Sequence, residues 1–297
     1  MRLVAFMPQS GAAHRVGLLR DGNRVIDLTH IQPRPPFDPA DMIALIGAGD
    51  SALAWLRDVA SQEKQAAPLD KVTLLAPIPR PRKNVFCVGW NYLEHFNESA
   101  YRRPADFKIP DHPVFFSKST NSVNGPYGPI PYDSAITKTL DWEVELGVII
   151  GKGGRNISEA EAMNHVFGYT VINDVSVREI QSQHGGQWFK GKSLDGTCPM
   201  GPCIATADEV DVNNLQVICR VNGVVKQDSN TRYLYFKIPR LIAELSVGLT
   251  LEPGDIISTG TPSGIGRHRK PPEYLKAGDV METEIVGLGL MRNGVGA

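Results

Sequence analysis

Short alternations of apolar and polar residues, broken every few positions by turn residues, dominate this chain and predict many short strands. Arg15-Val16-Gly17-Leu18-Leu19-Arg20 and Arg24-Val25-Ile26-Asp27-Leu28 flank Asp21-Gly22-Asn23, which reads as a hairpin. Apolar residues recur at helical spacing between Asp41 and Gln65 (Met42, Leu45, Ile46, then Leu53, Leu56, Val59). Gly47 and Gly49 split that run, and Asp50 or Ser51 can cap its second half. Pro77, Pro79 and Pro81, interleaved with Arg80 and Arg82, then form a stiff linker that disfavours both helix and central strand. The pattern predicts a small N-terminal α+β domain over residues 1–77 and a second domain over 78–297.

The second domain reads mostly as β. Val85-Phe86-Cys87-Val88, Pro113-Val114-Phe115-Phe116, Trp142 to Ile150 and Gly168 to Asn173 are strand-like runs. Asn222-Gly223, between Gln216 to Val221 and Val224 to Gln227, is the strongest hairpin signal in the chain. Helices are predicted after Ser158-Glu159-Ala160-Glu161, a cap with an acidic first turn, and at Pro239-Arg240-Leu241-Ile242, where proline opens a helix. Unequal strands with few helices predict a β-rich α+β fold, closed or sandwiched, and not a doubly wound sheet.

Composition narrows the partners. With 31 basic against 32 acidic residues the net charge is −1, so a concentrated positive surface for nucleic acid is not expected. The apolar start Leu3-Val4-Ala5-Phe6-Met7 is too short for a signal-peptide core, and no run approaches the length of a membrane span. A cytoplasmic protein without a membrane partner follows as an expectation. Cys87, Cys198, Cys203 and Cys219 lack metal-finger spacing and read as buried thiols.

Two constellations carry candidate chemistry. Glu143 and Glu145 stand at i and i+2 of a predicted strand and therefore point to one side, and Asp174 ends the next apolar run. Converging carboxylates suit Mg²⁺, Mn²⁺ or Ca²⁺ and not zinc. Glu-x-Glu alone also fits a half-exposed strand with solvated glutamates. In Gly89-Trp90-Asn91-Tyr92-Leu93-Glu94-His95-Phe96-Asn97-Glu98, a helical conformation puts His95 and Glu98 one turn apart. A carboxylate on one imidazole nitrogen sets the tautomer and strengthens the other nitrogen as a base, although an isolated His/Glu pair is more often structural.

The ordered set Gly-x-Asn-Tyr-x-x-His-x-x-Glu (89–98), Asp-Trp-Glu-Val-Glu-Leu (141–146), Asn-Asp-Val-Ser-x-Arg (173–178), Gly-Lys-Ser (191–193) and Thr-Gly-Thr-Pro-x-Gly (259–264) resembles the fumarylacetoacetate hydrolase (FAH) superfamily. The stretch Arg269 to Asp279 further resembles its FAH domain-containing subgroup. The resemblance implies a mixed β-roll/β-sandwich catalytic domain, normally a homodimer, that binds Mg²⁺ or Mn²⁺ through Glu143, Glu145 and Asp174. It also implies His95 and Glu98 as the lid histidine and its glutamate, Lys192 as the active-site lysine, and Gln181, Thr261 and Arg178 on the substrate side. The larger tyrosine-degrading hydrolase adds a fourth carboxylate just before its histidine region. This chain has Asn91-Tyr92 there, so activity on fumarylacetoacetate itself is not implied.

The residue types suit that chemistry independently. A 2-oxo acid chelates a metal through its carboxylate and keto oxygens, which stabilises an enolate. With His95 activating water, the predicted reaction is C–C hydrolysis of a 2,4-dioxo acid of the acylpyruvate type. The same site also suits oxaloacetate decarboxylation, keto–enol tautomerisation, or isomerisation of unsaturated hydroxy-diacids. A metal- or metabolite-binding protein without catalysis is the non-enzyme alternative, which leaves His95 without a purpose. Lys190, two residues from Lys192, points elsewhere if the segment is extended. The glycine-rich run 259–266 lacks a phosphate-loop ending and reads as a turn lining the pocket. Arg102-Arg103 and Arg267-His268-Arg269-Lys270 read as solvated loop charge, with steering of a dicarboxylate toward the metal as the alternative. The polar stretch from Leu93 to Lys108 reads as a lid.

Overall fold

The computed structural model describes residues 1–8, 13–102, 104 and 106–296. Arg103, part of one basic cluster and of the predicted lid, lies outside the described residues, as does Ala105.

Val144–Ile150 sits at the centre of the architecture because every one of its residues is buried. It pairs antiparallel with Val166–Asn173 on one side and Ile256–Ser258 on the other. Beyond Ile256–Ser258 the sheet continues through Val85–Gly89, in parallel, to Val114–Lys118. Beyond Val166–Asn173 it continues through Cys198–Thr206 to the N-terminal strand Arg2–Pro8, then Arg15–Arg20 and Arg24–Asp27. A second sheet of Val224–Asn230, Gln216–Val221, Val280–Ile285 and Gly289–Gly294 covers one face. Val144, Leu146 and Val171 share a core with Val217, Cys219, Met281 and Met291 of that second sheet. The result is a strand-rich mixed α+β sandwich, as the unequal strands predict.

Residues 1–77 share both hydrogen bonds and core with the rest. Arg2 and Leu3 pair with Ala205 and Ile204, and Leu3, Leu45 and Leu56 belong to one buried cluster with Cys87, Ile149 and Ile256. Both predicted hairpins form: Asp21-Gly22-Asn23 is a three-residue loop with Asp21 and Gly22 at positive φ, and Asn222-Gly223 is a two-residue turn with both residues at positive φ.

The helices need correction in two places. The run from Asp41 divides into Met42–Gly47 and Asp50–Gln62, and Asp41 caps the first by accepting from the Ile43 and Ala44 amides. Neither Asp50 nor Ser51 caps the second; Asp50 is already helical and Gly49, at φ 56°, occupies the cap position. After Ser158 there is only a 3₁₀ turn, Ala162–His165, of which Ala162 alone is buried. A cap with acidic first turn cannot hold a helix that has no apolar face to bury. The proline-opened helix forms as Ile238–Ser246, with Ile238, Leu241, Ile242 and Leu245 buried. All four cysteines are buried free thiols. Among the described residues no helix is long and apolar enough to cross a membrane.

Candidate active site around a carboxylate cluster

Strand register brings the three predicted ligands together. Pairing of Val144 with Asn173 places Asp174 beside Glu143, and the Asp174 amide donates to the Glu143 carbonyl at 2.8 Å. Glu143, Glu145 and Asp174 are all buried, and one carboxylate oxygen from each lies within 4.8 Å of the others. Hard oxygen donors converging at this spacing are a donor set that fits a divalent cation such as Mg²⁺ or Mn²⁺.

Buried carboxylates need compensation. Lys192 Nζ donates to Glu143 Oε2 at 2.7 Å and Asp174 Oδ2 at 2.6 Å. Arg178 Nη2 lies 2.6 Å from Glu143 Oε1, while its Nε donates to Asp141 Oδ2 at 2.7 Å and its Nη1 to Gln181 Oε1 at 3.2 Å. Lys118, wholly buried, lies 2.9 Å from Asp174 Oδ1. Burial opposes ionisation of Glu143, but Lys192 and Arg178 overcome it and hold the group well below the usual carboxylate range. Glu145 accepts instead from a hydroxyl and an amide, and Lys192 lowers its pKa only weakly. Burial, then the charges of Asp174 and Glu143, push its pKa up to about 8. Burial likewise opposes the charge on Lys192, yet Asp174 and Glu143 raise its pKa above the ordinary value.

The glycine-rich loop organises this set from the other side. Ser258 Oγ and the Gly260 amide donate to Glu145 Oε2 at 2.6 and 2.9 Å. Thr261 Oγ1 donates to the Val144 carbonyl at 3.0 Å and receives Gln227 Nε2 at 2.8 Å. The Gly264 amide donates to Glu98 Oε2 at 2.9 Å, and the Gly266 and Arg267 amides donate to Asp141 at 2.7 and 2.9 Å. Gly260 and Gly264 adopt φ of 99° and 101°, and a Cβ at Gly264 would meet the Lys226 carbonyl oxygen at 2.2 Å. Only glycine lets this backbone approach closely enough to aim its amides.

Helix Leu93–Glu98 carries the predicted dyad. His95 Nδ1 and Glu98 Oε1 are 2.7 Å apart, so with a carboxylate partner Nδ1 carries the proton and Nε2 keeps its lone pair. His95, Glu143, Glu145, Arg178, Gln181, Lys192 and Thr261 all line one cavity of about 270 Å³. Trp90, Phe116, Trp188 and Ile265 form its apolar wall. Trp90 reaches this wall from a positive φ of 54° and packs edge-on against Trp188, ring centroids 5.4 Å apart. Lys190 is exposed and outside the cavity; the segment is a helical turn, Phe189–Lys192, and not extended, so Lys190 turns outward by helical phase.

Three contributors escaped sequence reasoning. Lys118 ends an apolar run with nothing local to mark it, and Ser258 is one serine among many. Asp141 did carry a signal, since it shares the i, i+2 phase of Glu143 and Glu145. Its carboxylate accepts from the Trp142, Gly266 and Arg267 amides and from Arg178. Asp141→Asn leaves the buried Arg178 short of a charge partner, and breaking a buried pair costs about 3–5 kcal/mol. A marked fall in the urea midpoint at unchanged m-value is expected; an unchanged midpoint refutes this role for Asp141.

Comparison with known proteins agrees with this geometry. The family model described as Fumarylacetoacetate (FAA) hydrolase C-terminal matches residues 84–296. Oxaloacetate tautomerase fahd2, mitochondrial, of Xenopus laevis is 42% identical over 300 residues, covering 99% of this chain and 90% of the relative. Oxaloacetate tautomerase YisK of Bacillus subtilis (strain 168) is 40% identical over 294 residues, covering 95% of this chain and 96% of the relative. Among solved structures, maleylpyruvate hydrolase from Sphingobium sp. SYK-6, in complex with manganese(II) and pyruvate, superposes with a TM-score of 0.79 at 30% identity, covering 100% of this chain and 99% of that one. Sequence, fold and the disposition of the acidic cluster thus converge on one conclusion: this chain belongs to the fumarylacetoacetate hydrolase family.

Proposed function

We propose that this protein is a divalent-metal-dependent enzyme that interconverts the enol and keto forms of oxaloacetate. The observation that carries this reading is the shared cavity, in which His95, paired with Glu98, faces the same space as Glu143 and Glu145. Relatives named as oxaloacetate tautomerases, 40–42% identical over nearly the whole chain, support this reaction over hydrolysis.

Glu143, Glu145 and Asp174 would hold Mg²⁺ or Mn²⁺, which when bound supplies a Lewis acid beside the keto oxygen of a 2-oxo acid. His95 Nε2 exchanges the proton at the carbon next to the keto group. Glu98 orients the ring and is itself held by the Gly264 amide, so the base is fixed before substrate arrives. Lys192 and Arg178 keep Glu143 ionised, and the apolar wall of Trp90, Phe116 and Trp188 limits water around the exchanging proton. A homodimer belongs to the same reading and is checked by sedimentation equilibrium.

The test is a substrate panel with added Mn²⁺ or Mg²⁺. Loss of enol absorbance, released pyruvate and released carbon dioxide are followed separately for oxaloacetate and for acylpyruvates. Fast enol loss from oxaloacetate without pyruvate or carbon dioxide supports the reading; no acceleration over buffer refutes it. Acylpyruvate hydrolysis is the second reading, favoured by the apolar wall and by the likeness to a maleylpyruvate hydrolase. It predicts pyruvate release in the same panel.

Metal binding should also move a proton. A ligand carboxylate must ionise, and Glu145, at about 8 without a cation, is largely protonated at neutral pH. Mn²⁺ affinity is expected to rise with pH until about 8 and then level off. Calorimetry in buffers of different ionisation enthalpy reads the released proton directly; identical heats at pH 6.5 would contradict the coupling.

A further inference from the structure

We propose that Gln227, a buried side chain of the second sheet, is a positioning residue that ties the glutamate-bearing strand to the Thr261 loop. In doing so it fixes the Thr261 hydroxyl as a hydrogen-bond acceptor, which favours the enol over the keto form of the substrate. The proposal deepens the tautomerase reading and rests on it for placing the ligand's oxygen at carbon 2 beside the carboxylate cluster.

Val224–Asn230 is mostly exposed, and Gln227 is its one buried residue. At 1% exposure such an inward position ordinarily holds an apolar side chain. A buried amide is tolerated when its groups are paired, and both ends of this one are. The Val144 amide donates to Gln227 Oε1 at 3.0 Å, while Gln227 Nε2 donates to Thr261 Oγ1 at 2.8 Å and to the Pro262 carbonyl at 2.9 Å. Because a backbone amide only donates and a carbonyl only accepts, Val144 and Pro262 leave the side chain one orientation.

These bonds replace a strand ladder. The pairing of Val144–Ile150 with Ile256–Ser258 stops at Gly147, short of the two glutamates. Val144, which lies between Glu143 and Glu145, has its amide held by Gln227 and its carbonyl held by Thr261 Oγ1 at 3.0 Å. The Glu143 amide is held in the same way, by Asn173 Oδ1 at 2.9 Å. Side chains therefore set the backbone from which both carboxylates project.

The same bonds decide what Thr261 can offer a ligand. Two oxygens 3.0 Å apart need a proton between them, and the Val144 carbonyl has none, so the Thr261 proton points inward. Gln227 Nε2 occupies one lone pair, and a single lone pair remains. Thr261 lines the cavity, whereas Gln227 stands behind it. Any hydrogen bond that the Thr261 hydroxyl makes there is one that it accepts. An enol hydroxyl supplies the proton; a keto oxygen sets lone pair against lone pair, which adds discrimination.

The experiment uses calorimetry with three probes: Mn²⁺ on the metal-free protein, then L-lactate and pyruvate on the Mn²⁺-loaded protein. Lactate carries a 2-hydroxyl that donates, and pyruvate a 2-oxo oxygen that only accepts. Gln227→Met removes both arms of the amide, so Mn²⁺ affinity should fall about 10-fold or more and the lactate-over-pyruvate ratio about 3- to 10-fold. In Gln227→Glu the carboxyl, kept protonated by burial, retains the oxygen for Val144 but has one proton where the amide had two. Its Mn²⁺ affinity should stay within about threefold of wild type while the ratio falls, a split that a merely structural role would not produce. Thr261→Val should lower the ratio alone, and adding Gln227→Glu to it should lower the ratio no further. If Gln227→Met does not fold, Gln227→Glu and its combination with Thr261→Val still carry the test. An unchanged ratio in Gln227→Glu, Mn²⁺ affinity lost equally in both Gln227 variants, or a further loss in the double variant overturns the proposal. A protein that shows these shifts without accelerating enol loss refutes the reaction and leaves the role of Gln227 standing.

Discussion

His95→Ala is expected to lower turnover of the oxaloacetate enol by about 10² to 10⁴, the usual effect of losing a positioned base. Mn²⁺ affinity should stay close to wild type, because the imidazole is paired with Glu98 and is not one of the three clustered carboxylates. Glu98→Gln should act in the same direction. The amide still accepts from an Nδ1–H but carries no charge to strengthen the base or to hold the Gly264 amide as tightly. The double variant should be little worse than the worse single one, since residues acting as a unit are not additive. Stopped-flow measurement of enol absorbance checks all three. A His95→Ala enzyme with wild-type turnover would remove the dyad from the mechanism. If hydrolysis is the true reaction, it too should fall, because it needs an activated water.

The second large effect concerns Glu145. Glu145→Gln keeps the shape of a protonated carboxyl and removes the charge a divalent ion requires. Mn²⁺ affinity should fall by more than the roughly 10- to 100-fold that loss of an outer-sphere partner costs. The metal-free protein should behave differently. The Glu145 carboxyl has an ordinary value of 4.5 and is pushed up to about 8 by burial and by the neighbouring Asp174 and Glu143 charges. Its contribution to stability is therefore fully present below the unfolded value and is lost as pH rises through about 8. The metal-free variant should lack this decline and be at least as stable as wild type at alkaline pH. Thermal unfolding with and without Mn²⁺ separates the two effects: at 100 times Kd the ion should stabilise wild type by about 2.7 kcal/mol and the variant hardly at all. An equal metal-induced rise in Tm for both proteins would exclude Glu145 as a ligand.

Local patterns made much of this molecule legible. The hairpins at Asp21-Gly22-Asn23 and Asn222-Gly223 were readable because short hairpin loops need residues that accept positive φ. The proline-opened helix Ile238–Ser246 was readable because its apolar spacing and its start signal agree. The helix expected after Ser158 failed because a cap says where a helix begins and not whether a face will be buried. Glu143 and Glu145 were legible as a pair through the period of a strand, and His95 with Glu98 through the period of a helix turn. Cytoplasmic placement and the choice among 2-oxo acid reactions have no such periodic signature.

The sequence by itself determined the local geometry: which carboxylates share a face, which turn residues reverse the chain, and which motifs mark the family. Those features depend on residues a few positions apart, where covalent geometry sets the distance. Tertiary structure alone decided that Arg2–Pro8 hydrogen-bonds to Cys198–Thr206, and that Lys118, Arg178 and Lys192 compensate the buried acids. It also decided that the loop from Ser258 to Arg267 donates to Glu145, Glu98 and Asp141 together. These contacts join residues far apart in the chain, and strand register and burial set their distances. Burial also makes them consequential, since the same charges left in water would interact weakly and shift no pKa.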